Sequence, residues 1–274
     1  MSTAPPVALT IAGSDPAGGA GIQADLKTFH QHGVYGAAVI SLLTVQNTVS
    51  LRSVHVQPAE LVEQQLSAVL EDLPIAACKT GALGDAAVVE AVAETLGRCD
   101  APLVVDPVMI SKAGAALLQD DALSALSRTL LPRATLVTPN LDEARRLSGR
   151  TIDTRGEGAR DAARAIADLG CPGVLIKGGH RADAPTDLLL WEGHFHELAG
   201  VRVETRHTHG VGCTLSAAVC ARLSQGHSVV EACRLAKRWL SAAIASAPGL
   251  GAGQGAVDHL APVPPAAEDD RKST

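Results

Sequence analysis

The feature that most constrains this chain is an alternation. Short, uninterrupted apolar runs recur along the sequence, each followed by a longer amphipathic segment. The runs are Val7–Ala12, Ala37–Leu43, Ile75–Cys78, Leu103–Val105, Thr135–Val137 and Val174–Ile176. The segments with helical spacing are Gly19–Gln31, Ala59–Asp72, Asp85–Leu96, Ala115–Leu130 and Glu157–Leu169. A strand that is apolar on both faces needs cover on both faces. Such strands joined by helices predict an α/β fold with a mostly parallel sheet between two helical layers. After Lys177 the pattern changes. Thr186–Trp191, His194–Leu198 and Val201–Thr205 follow closely, with Glu192-Gly193 as a turn, and predict antiparallel edge strands. Two further helices are predicted over Cys213–Leu223 and Val229–Ala245. From Pro262 the chain is rich in proline and charge and is expected to be disordered. No internal repeat or linker interrupts this order, so one domain is expected over residues 1–261, with 262–274 as a tail.

Composition narrows the function. Of 274 residues, 46% are hydrophobic but only 2% aromatic, so the core is aliphatic and ring platforms for single-stranded nucleic acid are excluded. A net charge of −6 offers no basic face for a duplex. Six cysteines without a CxxC pair argue against a zinc ribbon and fit reduced thiols in the cytoplasm. The opening residues lack a basic signal-peptide region. The uncharged stretches near 33–51 and 239–257 are broken by polar residues or glycine, and are expected to be buried elements rather than membrane spans.

The polar residues that end the apolar runs are informative. Ser14 and Asp15 follow the first, Gln46 and Asn47 the second, then come Lys79-Thr80-Gly81, Asp106, Thr138-Pro139-Asn140 and Lys177-Gly178-Gly179. In a parallel sheet they share the carboxyl edge, where open α/β sheets bind ligands. Helix capping accounts for any one of them; six in series, with two lysines and an aspartate, point to a site. The segment His207-Thr208-His209-Gly210-Val211-Gly212-Cys213 opens a helix of small residues. Its glycines allow tight approach, and free N–H groups at a helix start make an anion cradle. It is not a Walker A loop. Cys213 is placed where a helix N-terminus lowers a thiol pKa; a small buried residue is the plainer alternative. The loop from Gly13 to Gly21 is glycine-rich but lacks dinucleotide spacing. Asp25 on the helix after it has either a hydrogen-bonding or a solvated role. His194 and His196 are read as an exposed strand face, and His209 as backbone positioning or chemistry. Asp106 and Glu143 offer hard oxygens suited to Mg2+ beside phosphates.

These segments resemble a known family. LTIAGSDPAGGAGIQADLKTF (9–29), TVQNT (44–48), KTGAL (79–83), VDPVM (105–109), LVTPNLDEA (136–144), LIKGGH (175–180) and THGVGCTLSAA (208–218) are similar to the hydroxymethylpyrimidine/phosphomethylpyrimidine kinases. These are the thiamine-pathway members of the ribokinase-like kinases. The resemblance runs from about Val7 to Val257. It implies a ribokinase-like α/β/α fold and phosphorylation of hydroxymethylpyrimidine to its mono- and then diphosphate, with ATP and Mg2+. Asp25, Gln46, Gly13 and Ala82 then fall on the substrate side. Asn140, Lys177, Thr208, Gly210, Val211 and Gly212 fall on the nucleotide side, with Asp106 and Glu143 near the metal. Cys213 takes the place of the base, with Lys177, Gly210 and Gly212 in the catalytic set. A cytoplasmic homodimer is implied by the same analogy. Two positions depart from the family pattern: Val211 replaces a threonine, and Ala82 a methionine, which implies a roomier acceptor pocket. Pyridoxal kinase is the alternative on this scaffold. A cysteine hydrolase using Cys213 with His207 or His209, or a sensor that has lost turnover, lies further off.

Overall fold

The computed structural model of the chain describes residues 4–110, 117–153, 158–178 and 185–264. A nine-stranded sheet runs through it. The strands are β1 (Val7–Ser14), β2 (Tyr35–Gln46), β3 (Leu51–Val56), β4 (Ile75–Thr80), β5 (Leu103–Val105), β6 (Leu136–Val137), β7 (Gly173–Ile176), β8 (Asp187–Trp191) and β9 (His194–Leu198), in the order β3-β2-β1-β4-β5-β6-β7-β8-β9. β2, β1, β4, β5, β6 and β7 are parallel, while β3, β8 and β9 join antiparallel at the edges. The helices are α1 (Gly21–Gln31), α2 (Ala59–Asp72), α3 (Ala86–Leu96), α4 (Asp120–Ala125), α5 (Leu141–Ser148), α6 (Ala159–Ala167), α7 (Val211–Ser224) and α8 (Val229–Ala245).

Side chains alternate across a strand, so each central strand feeds two cores. Leu9, Ile11, Val105, Val137, Val174 and Ile176 pack with α2, α3, α5 and α6 on one face. Ala8, Ala77, Val104, Leu136 and Leu175 pack with α1, α7 and α8 on the other. The second layer explains the small residues of α7. From Thr214 to Ser224 that helix is buried on all sides, between sheet and flanking helices, and Ala217, Ala218, Cys220 and Ala221 permit the close approach. Phe29 and Trp239 fill this face; the Trp239 indole donates to the Ala261 carbonyl at 3.0 Å.

The structure departs from the sequence reading in four places. β2 extends to Gln46 and pairs with β3, a strand the polar LRSVHV segment conceals. Val201–Thr205 is not a strand. A Cβ on Gly200 would meet Lys237 Cε at 2.8 Å and the Pro185 oxygen at 2.9 Å, so the chain leaves the sheet through a tight gap and borders a cleft instead. α7 starts at Val211, two residues early. The helix expected over 115–130 reduces to α4 followed by a π-helical turn at Leu126–Leu130; residues 111–116 lie outside the described residues. Also outside them are Glu157, Gly179, His180 and the tail from 265. Among the described residues no helix is long and apolar enough to cross a membrane.

Candidate active site

β1 lies between β2 and β4, so the chain leaves it in opposite directions along the sheet. Open α/β sheets bind ligands at such a switch point. Ladder bonds continue past the strand ends: Gly81 N to Ile11 O, Asp106 N to Thr80 O, Thr138 N to Val105 O and Lys177 N to Pro139 O, at 2.8–2.9 Å. They align Gly81, Asp106, Thr138 and Lys177 along one edge, above a cleft of about 750 Å3.

At the β2 end, Gly13, Leu42, Thr44, Gln46, Ala82 and Met109 line the wall. Gly13 is required by packing, since a Cβ there would stand 2.4 Å from Leu42 Cδ1. Ala82 presents its methyl group while its carbonyl accepts from Ser41 Oγ at 2.6 Å. At the other end Val203, Lys237, Leu240 and Ile244 form a largely apolar wall. The sequence reading missed this end. Its signal, apolar residues four apart on α8, is indistinguishable from core.

The two ends meet at charge. Lys177 Nζ donates to Asp106 Oδ1 at 2.8 Å and stands 3.8 Å from Glu143 Oε2. Ser216 and Thr138 hydroxyls hold the Asp106 carboxylate at 3.3 and 3.4 Å. Burial opposes the charge on Lys177, but Asp106 and Glu143 outweigh it and raise its pKa. Burial also pushes Glu143 up to about 7, with Lys177 acting against the rise. Asn140 and Glu143 form a capping box at the start of α5. Asn140 Oδ1 accepts from Glu143 N at 2.9 Å, and Glu143 Oε2 from Asn140 N at 2.7 Å. One Glu143 oxygen is thus engaged by backbone.

Thr208, Gly210, Val211, Gly212 and Cys213 border the same junction. Gly210 has φ +74°, and a Cβ there would fall 1.7 Å from the Gly19 oxygen. Only glycine fits. A Cβ on Gly212 would stand 3.3 Å from Lys177 Nζ and 3.8 Å from Asp106 Oδ2, so the open backbone of the α7 N-terminus faces the charge pair.

Two expectations are corrected. Asp25 does not line the cleft. It is fully buried, accepts from Lys79 Nζ at 2.8 and 2.7 Å and from Thr10 Oγ1 at 2.6 Å, and forms a charge pair beneath the cleft. Burial opposes the Lys79 charge, but Asp25, Cys213 and Asp106 outweigh it and raise its pKa. The Cys213 thiol is not acidified either. Burial raises it to about 11; Lys79 and the Gly21 N–H pull it down, but Asp106 and Asp25 push it up. Helix-end stabilisation is outweighed by lost solvent and two carboxylates.

Asp106 and Glu143 suit Mg2+ as donors, being hard oxygens on one side of Lys177. Among the described residues no cluster of three or more ligating side chains forms a cage. This fits an ion held mainly by phosphate oxygens with one or two carboxylates.

Sheet order, cleft and cradle together define a kinase of the ribokinase-like fold. The comparisons agree. Bacillus subtilis pyridoxal kinase, solved as an ADP complex, superposes with a TM-score of 0.87 at 36% identity, covering 94% of this chain and 98% of that one. The phosphomethylpyrimidine kinase of Clostridium difficile gives 0.75 at 37% identity, covering 85% and 97%. The family model for phosphomethylpyrimidine kinase matches residues 15–258, and the chain belongs to that family. A hydroxymethylpyrimidine/phosphomethylpyrimidine kinase of Streptomyces coelicolor is 47% identical over 255 residues, 93% of this chain and 94% of the relative.

Proposed function

We propose that this chain moves the γ-phosphoryl group of ATP to the hydroxymethyl oxygen of hydroxymethylpyrimidine, and then phosphorylates the monophosphate, supplying the pyrimidine half of thiamine. The observation that carries this is the junction of the cleft. The Lys177–Asp106 pair at 2.8 Å faces the open N-terminus of α7, between a Gln46 end and an apolar end. The ADP held by the Bacillus subtilis relative supports ATP here, and the apolar wall of Val203, Leu240 and Ile244 suits a nucleobase. Gln46 offers a donor and an acceptor side by side, as an aminopyrimidine edge requires.

Phosphoryl transfer needs positioning and charge neutralisation more than covalent chemistry. Lys177 and the N–H groups of Gly210–Cys213 stabilise charge on the transferred group. Asp106 and Glu143 are the side chains to hold Mg2+, which neutralises phosphate charge when bound. As the acceptor oxygen bonds to phosphorus and the β–γ bridge breaks, the hydroxymethyl proton passes to the Cys213 sulfur. Cys213 is a neutral thiol in the resting site, so only its thiolate fraction is competent. The hydrolase reading is weaker for the same reason, and His209 is engaged by Asp15 at 2.8 Å.

The second reading is pyridoxal phosphorylation, favoured by the small side chain at Ala82. Mass spectrometry of products from Mg-ATP with equal hydroxymethylpyrimidine and pyridoxal decides. Pyrimidine mono- and diphosphate are expected. Pyridoxal phosphate alone moves the assignment, and no phosphorylated product overturns both. A homodimer belongs to the same reading. β9 leaves an open strand edge for pairing, and sedimentation at two concentrations tests it.

A further inference from the structure

We infer that Asp15 and His209 form a latch that sets the acceptor side of the site against the phosphate cradle, acting as positioning residues for transfer. The inference rests on the kinase reading above. Asp15 is buried at 2% exposure, and its carboxylate receives four N–H groups. Three are from its own loop: Ala17 at 2.9 Å, Gly19 at 3.0 Å and Ala20 at 2.8 Å. The fourth is His209 Nε2 at 2.8 Å, from the segment leading into α7. A carboxylate so placed only accepts, so Nε2 carries the proton. The donors and His209 hold Asp15 below the usual carboxylate range although burial acts to raise it.

The two segments touch through backbone as well. A Cβ on Gly19 would meet His209 Cδ2 at 2.5 Å, and one on Gly210 would strike the Gly19 oxygen. The Asp15 loop runs from Gly13 on the cleft wall to Gly21, whose N–H reaches the Cys213 sulfur. The His209 segment carries Gly210, Val211 and Gly212. One hydrogen bond therefore spans the acceptor side and the cradle. Small errors in such a geometry cost turnover more than ground-state binding.

A hydrogen bond to a charged group of this kind is worth a rate change of roughly ten- to hundredfold. His209→Leu is expected to lower kcat by that factor, with KM for ATP and for the pyrimidine within about threefold of wild type. His209→Gln, whose amide nitrogen can reach the position of Nε2, is expected to recover most of the loss; His209→Asn, about one bond shorter, is not. The double variant His209→Leu/Asp15→Ala is expected to be no worse than Asp15→Ala, because both act through one contact. Hydrogen exchange by mass spectrometry reads the latch without turnover. In His209→Leu the amides of 17–20 and 210–214 should exchange faster, with α3 unchanged. Unchanged exchange overturns the latch. So does unchanged kcat, a rise in KM with kcat held, or equal activity of the Gln and Asn variants. If His209→Leu loosens the whole chain, the Gln and Asn pair still decides. A wild-type chain that makes no phosphorylated product overturns the kinase reading instead, whatever the exchange shows.

Discussion

Replacing Cys213 with alanine tests the chemistry most directly, because the two phosphorylations make different demands on it. The first acceptor is a hydroxymethyl group that must lose a proton; the second is already a phosphate. With the thiol held up to about 11 by burial, roughly one molecule in ten thousand carries the thiolate at pH 7. That fraction grows about tenfold per pH unit, so base-limited kcat/KM for the first step should climb up to about a hundredfold between pH 7.5 and 9.5. Glu143, raised to about 7, affects both steps, so the ratio of the two profiles isolates Cys213. The assay is initial-rate chromatography of mono- and diphosphate, with each acceptor supplied separately across that range. Cys213→Ala should flatten the first profile and lower it about a hundredfold at pH 9, near 2.7 kcal/mol, with less than about fivefold change in the second. Equal losses in both steps, or a wild-type ratio that does not change with pH, would refute the base assignment.

Other perturbations separate fold from site. Lys79→Met strands the buried Asp25 carboxylate and should cost about 3–5 kcal/mol in urea unfolding, most of it recovered in Lys79→Met/Asp25→Leu; an unchanged midpoint would contradict the charge pair. Gly212→Ala puts a methyl group 3.3 Å from Lys177 Nζ, so kcat/KM for ATP should fall about tenfold or more while the melting temperature stays within about 2 °C. Ala82→Met should narrow the acceptor end and lower pyridoxal turnover relative to pyrimidine, read from the product ratio in a mixed-substrate assay.

Much of this was legible because it is local or periodic. Uninterrupted apolar runs identify buried parallel strands wherever they fall, and their carboxyl ends face one way. Gln46, Asp106, Asn140 and Lys177 could therefore be placed on one edge before any coordinates. Glycines before a small-residue helix likewise announce a backbone cradle. β3 escaped because LRSVHV is half polar, as suits an edge strand. Val201–Thr205 misled because its alternation of apolar and polar residues is that of a strand, while the squeeze at Gly200 that diverts it comes from Pro185 and Lys237.

By itself, then, the sequence determined the layered sheet, the edge that binds and the helix end that cradles an anion. Each is set by the period of apolar residues or by the backbone freedom of a few glycines. Tertiary structure alone decided which polar groups meet. Asp25 goes to Lys79 rather than to the cleft, Cys213 becomes a neutral thiol, and Asp15 reaches His209 across 194 residues. Burial and charge pairing depend on everything that surrounds a side chain, and those neighbours come from segments whose spacing along the chain carries no record of their encounter.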